Sequence, residues 1–247
     1  MYIWAGQKFF VPILIKPEGD NIMNIYSVAI DGPAGSGKST VARLLAKELN
    51  ITYIDTGAMY RTVALYCINN GVDTKNRKDV VKALNSVQMD IKQENGGQKI
   101  FLSGVDVTNE IRSQRAGAGA SDVAVIKEVR EKLVDMQRKM AQGMSVVMDG
   151  RDIGTNVLLN APVKIFLSAS AEERAKRRCD ELDKLGLKYD FESVKKQIEQ
   201  RDFNDMNREF NPLKKADDAV EIDTTFLSIE QVKNKIIDII KQKTGMK

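Results

Sequence analysis

Gly32-Pro33-Ala34-Gly35-Ser36-Gly37-Lys38-Ser39 is the stretch that decides the fold. It fits G-x-x-x-x-G-K-[ST], and its setting gives the match meaning. The apolar run Tyr26 to Ile30 precedes it, and Val41, Leu44, Leu45 and Leu49 follow at helical spacing. Strand, glycine-rich turn and helix in that order aim successive backbone N–H groups and a positive helix end at a phosphate. Gly32, Pro33, Ala34, Gly35, Ser36, Gly37, Lys38, Ser39 and Thr40 are therefore the expected contacts to the phosphates of a nucleoside triphosphate. Lys38 would reach the β and γ phosphates, and the Ser39 hydroxyl would ligate Mg2+.

Outward from this loop the strand and helix rhythm repeats. Ile51 to Ile54, Ser145 to Met148, Val163 to Leu167 and Val220 to Ile222 are short apolar runs, and a helix is predicted from about Ala58 to Asn69 with Gly71 as its stop. Such alternation implies an α/β fold with a mainly parallel sheet covered on both faces. Between Val123 and Met140, the positions Ile126, Val129, Leu133, Met136 and Met140 form one stripe of a core-facing helix. One segment departs from the rhythm. Val87 to Ile91, the turn Asn95-Gly96-Gly97, Ile100 to Leu102 and Val105 to Val107 predict a small antiparallel meander, the pattern of a substrate-covering insert.

Composition narrows the function. In 247 residues, 38 basic side chains are interleaved with 34 acidic ones, so no basic block exists to grip nucleic acid. No stretch approaches the length of a membrane span. Two cysteines, Cys67 and Cys179, without paired spacing suggest a reducing, cytoplasmic setting, and the absence of His leaves the chemistry to Lys, Arg, Asp and hydroxyls. Residues 1–22 are set apart by Pro12 and the charged segment Lys16 to Asp20, and are expected to be a non-catalytic extension or an arm packed on the core. The loop alone does not say what the triphosphate is used for. The only approach to a guanine-reading N-K-x-D, Asn234 to Asp238, has its Asp one position late, and the strand ending at Met148 leads into Asp149-Gly150-Arg151-Asp152 rather than consecutive acids.

A phosphorylated acceptor is a dianion, so arginines are needed to clamp it beside a second anion. Arg61, Arg112, Arg151, Arg201 and Arg208 stand singly near predicted element ends, with Arg201, Asp205 and Arg208 spaced for one helical face. Ser170 and Glu173 have capping-box spacing ahead of Arg174, Arg177 and Arg178, and Gly186 should stop that helix. These arginines would form either a lid over the triphosphate or a solvated basic face.

Gly32 to Ser39, Asp55-Thr56-Gly57-Ala58-Met59-Tyr60-Arg61, Glu110-Ile111-Arg112, Asp149 to Thr155 and Arg201 to Arg208 together resemble the bacterial cytidylate kinases, in unbroken order from about Met23 to the C-terminus. The resemblance implies a P-loop nucleoside monophosphate kinase: a five-stranded parallel sheet flanked by helices, an antiparallel acceptor-domain insert and a short lid. Its kinase domain would span 23–247, with the insertion at about 58–122 and the lid at about 174–191. The implied reaction is transfer of the γ-phosphate of ATP to CMP or dCMP, by a cytoplasmic monomer of pyrimidine metabolism without nucleic-acid or membrane partners. Lys38, Arg61, Arg151, Arg174 and Arg178 would be catalytic. Thr56, Ser103, Arg112 and Asp152 would read cytosine, Arg61, Arg151 and Arg201 would hold the acceptor phosphate, and Asp205 with Arg208 would bind ribose. Ser39 is the expected Mg2+ ligand, with Asp149 as a second that acts directly or through water. Other readings of the residues alone are a kinase for a different small acceptor and a regulator that only holds ATP.

Overall fold

The computed structural model describes residues 2–4, 7–9, 25–94 and 97–246. Near the N-terminus, β1 (Tyr2–Trp4) and β2 (Gln7–Phe9) pair antiparallel; the rest of the expected extension lies outside the described residues. The body follows as β3 (Ser27–Asp31), α1 (Lys38–Glu48), β4 (Thr52–Asp55), α2 (Thr56–Asn69), α3 (Arg77–Leu84), β5 (Met89–Glu94), β6 (Gly97–Leu102) and β7 (Val105–Asp106). Then come α4 (Gln114–Val123), α5 (Lys127–Met140), β8 (Val146–Gly150), β9 (Val163–Ser168), α6 (Ala171–Lys184), α7 (Phe191–Asn207), β10 (Val220–Asp223) and α8 (Ile229–Thr244).

Five strands form one parallel sheet in the order β10-β9-β3-β8-β4, as the alternating pattern predicts. Strand β3 lies at its centre, because the chain crosses from β3 to β4 on one side and returns to β9 on the other. A crevice therefore opens at the carboxyl end of β3, where the strand order reverses. The register levels the ends around it: Asp31 lies beside Gly150, and Asp55 beside Asp149. Those four positions enter the site as a group.

Apolar side chains fill both sides of the sheet. Val28, Ile30, Leu45, Ile165, Leu167, Val232, Ile236 and Ile240 join the sheet to α1 and α8, while Ala29, Ile54, Met148, Val134 and Ile153 fill the opposite face. A separate core of Met59, Val63, Val80, Ile100, Ile111, Val129 and Leu133 ties α2, α3 and α5 to the hairpin β5-β6. That hairpin docks in an unusual way. Gln93 and Gln98 are cross-strand partners, and their amides bond the outer backbone of β4: Gln93 Nε2 donates to the Tyr53 carbonyl at 2.6 Å, and the Asp55 N–H donates to Gln98 Oε1 at 2.8 Å. The expected turn residues Asn95 and Gly96 lie outside the described residues.

Local chemistry corrects three boundaries. Helix α2 begins at Thr56 rather than Ala58, because the Asp55 carboxylate caps it by accepting from the Ala58 N–H at 2.9 Å. The stripe from Ile126 to Met140 is not wholly helical. The chain turns at Ala124, and Ile126 stands extended ahead of α5 while still burying its side chain. Only half of the box at Ser170 forms: Ser170 Oγ accepts from the Glu173 N–H, but its own N–H goes to Thr225 Oγ1 and the Glu173 carboxylate to Arg177. Among the described residues no helix is long and apolar enough to cross a membrane.

Replacing Leu45, which is wholly buried between sheet and α8, by Ala is expected to lower unfolding stability by about 2–5 kcal/mol. Exposed Val105→Ala should change it by less than about 0.5 kcal/mol. Urea unfolding of the two variants checks the contrast.

Candidate active site

The glycine-rich loop has the conformation its composition predicts. Gly32 adopts φ 145°, and a Cβ there would lie 2.0 Å from the Leu167 carbonyl oxygen of β9, so only glycine can follow β3 into the turn. Gly37, at φ 88°, precedes the first residue of α1. Within the loop, Lys38 is buried and donates to the Pro33 carbonyl at 2.6 Å and Ser36 Oγ at 3.3 Å. Burial, with Arg151 beside it, holds its ammonium well below the usual lysine range. Thr40 lies on the exposed side of α1.

A carboxylate closes the loop from below. Ser39 Oγ donates to Asp149 Oδ2 at 2.7 Å, and the Tyr53 hydroxyl donates to Oδ1 at 2.8 Å. Thr56 Oγ1 reaches the Asp149 carbonyl at 2.7 Å. Hydroxyl and carboxylate oxygens side by side form a donor set suited to a hard divalent cation that keeps most of its shell as water and phosphate oxygen. Among the described residues no cluster of three or more acidic, His or Cys side chains could enclose a metal by itself.

Opposite the loop the arginines gather. Arg151 leaves β8 in an irregular turn and donates through Nε to Asp205 Oδ2 at 2.8 Å. Arg61 and Arg201 are each pushed down from the ordinary guanidinium value, first by burial and then by neighbouring cations: Arg112, Arg151 and Arg178 for Arg61, Arg151 and Arg61 for Arg201. Arg201 falls to about 10, and its Nε is buried without a partner. Burial raises the Asp205 carboxyl, but Arg151, Arg201 and Arg208 together hold it below the usual range. Cations pressed together until they weaken one another form a basin that an anion would relieve.

The cytosine-reading set fares unevenly. Asp152 is buried and accepts from Arg130 Nη2 at 2.6 Å, Asn156 Nδ2 at 3.0 Å and Arg208 Nη2 at 3.3 Å. Arg112 does not join it, and instead pairs with Asp55 Oδ2 at 2.8 Å. Ser103 is not gathered with the others either. With φ 50°, followed by Gly104 at 81°, it forms the exposed tip of the β6-β7 hairpin, where the turn demands left-handed residues. Arg208 lies one residue past the end of α7 in extended conformation, yet still reaches Asp205 at 3.6 Å.

Arg130 is the residue that sequence reasoning missed. Its guanidinium is 2% exposed, lies 5.6 Å from the centre of the Tyr60 ring and leaves Nε unpartnered. The signal was available: Arg130 stands between Val129 and Leu133 on the buried face of α5, where a charge needs a reason.

The expected lid arginines divide by role. Arg174 is buried, salt-bridged to Asp202 at 2.6 Å, and donates to the Ala34 carbonyl of the phosphate loop at 3.1 Å. Arg177 holds Thr224, whose hydroxyl in turn donates to the Ser36 carbonyl at 3.3 Å. Arg178 alone of the three points outward, paired to Glu181. Thus in this conformation α6 is fastened to the phosphate loop through Arg174, and Arg178 is the outward arm, held by Glu181.

A phosphate loop facing an arginine basin across the carboxyl ends of a parallel sheet defines a P-loop phosphotransferase. The family model for cytidylate kinase matches residues 28–242. The cytidylate kinase of Caldicellulosiruptor bescii is 52% identical over 217 residues, covering 88% of this chain and 96% of its own. Those of Fusobacterium nucleatum, at 50% over the same shares, and Lactobacillus johnsonii, at 47% over 93% and 99%, are similar. The chain belongs to the cytidylate kinase family.

Asp149 gives the site a pH signature. Burial, and then the Asp55 charge, raise its carboxyl to about 6. The folded protein therefore binds this proton more tightly than the unfolded chain. The stability so gained is full in acid and is lost as pH climbs through 6. Asp149→Asn, which cannot ionise, should gain stability relative to the parent as pH rises from 5 to 8. Urea midpoints at the two pH values provide the check.

Proposed function

We propose that the protein transfers the γ-phosphate of ATP to CMP or dCMP, giving ADP and CDP or dCDP. The observation that carries this reading is the basin formed by Arg61, Arg151 and Arg201 opposite the phosphate loop, with the Asp152-Arg130 pair beside it. An acceptor phosphate entering the basin relieves the mutual repulsion of the guanidiniums. Its ionised oxygen attacks the γ-phosphorus while the bond from that phosphorus to the β-phosphate oxygen breaks, leaving ADP. The attacking oxygen carries no proton to remove, so a chain without His lacks nothing for the step.

Backbone N–H groups of Gly35 to Ser39 cradle the donor phosphates, and Lys38 exchanges the Pro33 carbonyl for phosphate oxygens. Ser39 and Asp149 would hold Mg2+, which when bound neutralises developing charge on the transferred group. Arg178 closes from the lid. Asp205, held by Arg151 and Arg208, takes the ribose hydroxyl.

Cytosine offers a donor amino group beside two acceptors, and the Asp152 carboxylate with the Arg112 guanidinium is the matching pair. Arg130, only 2% exposed, holds the Asp152 carboxylate in place for this reading, and Thr56 stays close through Asp149. Uracil presents a donor and acceptor in reversed order, and the resulting mismatch costs about 1–3 kcal/mol. The kinase unit is residues 23–247, with the acceptor insertion at 58–122, a lid at 174–191 and residues 1–22 outside the chemistry. The enzyme acts as a monomer in this reading. The free, buried Cys67 and Cys179 agree with a cytoplasmic setting.

ADP formation from Mg·ATP with CMP, dCMP, UMP, AMP, GMP and shikimate tests the assignment. CMP and dCMP are expected to exceed the other acceptors clearly, and an even response across the panel would refute the cytosine reading. Lys38→Met should lower kcat about 10²–10³-fold, as loss of one charge-assisted contact to a transition state does.

A further inference from the structure

We propose that Asp31 is a positioning residue for the acceptor, its buried carboxylate holding the turn that carries Arg151 and Asp152 while its backbone leads directly into the phosphate loop. The inference rests on the acceptor reading of Arg151 and Asp152 given above. It adds a residue that contacts neither nucleotide.

Asp31 is the last residue of β3 and is 4% exposed. Its two carboxylate oxygens take one backbone N–H each from successive residues of the turn, Ile153 to Oδ1 at 2.8 Å and Gly154 to Oδ2 at 2.7 Å. Those N–H groups need an outside acceptor. The bonds within the turn are donated only from Asn156 onward, with the Asn156 and Val157 N–H groups both reaching the Asp152 carbonyl. The orphaned start of the turn is thus capped from a strand 122 residues earlier in the chain. Two bonds from one carboxylate to adjacent amides fix orientation as well as position.

Packing leaves the turn little freedom to find another arrangement. A Cβ on Gly154 would lie 3.2 Å from Lys164 Cδ and 3.4 Å from Asp31 Oδ2, and one on Gly150 only 2.6 Å from Ile153 Cδ1. The charges facing Asp31 are Lys38 and Asp152, and nearby Lys164 is engaged by Asp218 at 2.9 Å. Burial raises its carboxyl to about 6 against the pull of the two N–H bonds, so the double acceptor is charged at neutral pH. Arg151 and Asp152 lie immediately before the two held amides. Any shift of those amides redirects Arg151 away from Asp205 and Asp152 away from Arg130.

Asp31→Asn keeps one acceptor oxygen and sets an N–H2 group against the second amide. The expected result is a KM for CMP raised about tenfold, the scale of one lost charge-assisted bond, with kcat less affected and the Kd for ATP within about twofold of the parent. Gly154→Ala disturbs the same contact from the turn side and should give the same split if Asp31→Asn does not fold. Wild-type phosphorylation of CMP with an unchanged KM in both variants overturns the positioning role alone. So does equal weakening of ATP and CMP, which would make Asp31 a support of the phosphate loop. A wild-type chain inert towards CMP overturns the proposed reaction itself, and that outcome is separate from either of these.

Discussion

Repulsion among cations at the carboxyl ends of the central strands is the constraint around which this molecule is arranged. Lys38, Arg61, Arg112, Arg151, Arg201 and Arg208 converge there, and burial has removed much of the water that would screen them. The carboxylates are distributed in response. Asp55 answers Arg112, Asp205 answers Arg151, and Asp152 answers Arg130 and Arg208. What is left over is Arg201, whose Nε finds no partner, and Arg61, for which no ion pair is recorded among the described residues. The fold thus balances most of the charge internally and leaves a surplus where a dianion fits.

The acids that do the balancing are structural at the same time. Asp55 ends a strand, caps α2 and restrains Arg112. Asp149 ends β8 and fastens both Ser39 of the phosphate loop and Tyr53 of β4. Donor and acceptor halves are consequently joined through a few carboxylates as well as through the apolar faces of the shared sheet. On the far side of the loop, Arg174, Arg177 and Thr224 perform the equivalent service, bringing α6 and the end of β10 onto the Ala34 and Ser36 carbonyls.

Much of this was legible in the sequence, for identifiable reasons. The parallel sheet followed from short apolar runs alternating with helical stripes, and the phosphate loop from a motif whose glycines are required by backbone geometry, as Gly32 against Leu167 illustrates. Local patterns of that kind survive in one dimension. Pairings across the fold do not. Arg130 lies on the apolar face of α5, and only the packing of α5 against the turn after β8 brings it to Asp152. That Ser103 sits at the exposed tip of a two-residue hairpin turn is a matter of φ values that a serine does not advertise. Spacing placed Arg174 on a lid or a solvated basic face, and the carboxylate of Asp202, 28 positions along on a different helix, holds it buried in this conformation.

The paired glutamines of the β5-β6 hairpin have a consequence for which parts of the molecule are free to vary. Gln93 and Gln98 grip the backbone of β4, chiefly the Tyr53 carbonyl and the Asp55 N–H, and backbone groups are the same whatever residue occupies the strand. The grip on β4 makes few demands on the sequence of that strand, whereas the packing of Met89, Ile100 and Leu102 against α2, α3 and α5 depends on the side chains it meets. The grip also seals a sheet margin that would otherwise offer unpaired donors and acceptors to a neighbouring molecule. The strand that receives the hairpin is thus free to vary its side chains, while the helices packed on the hairpin's apolar face are not.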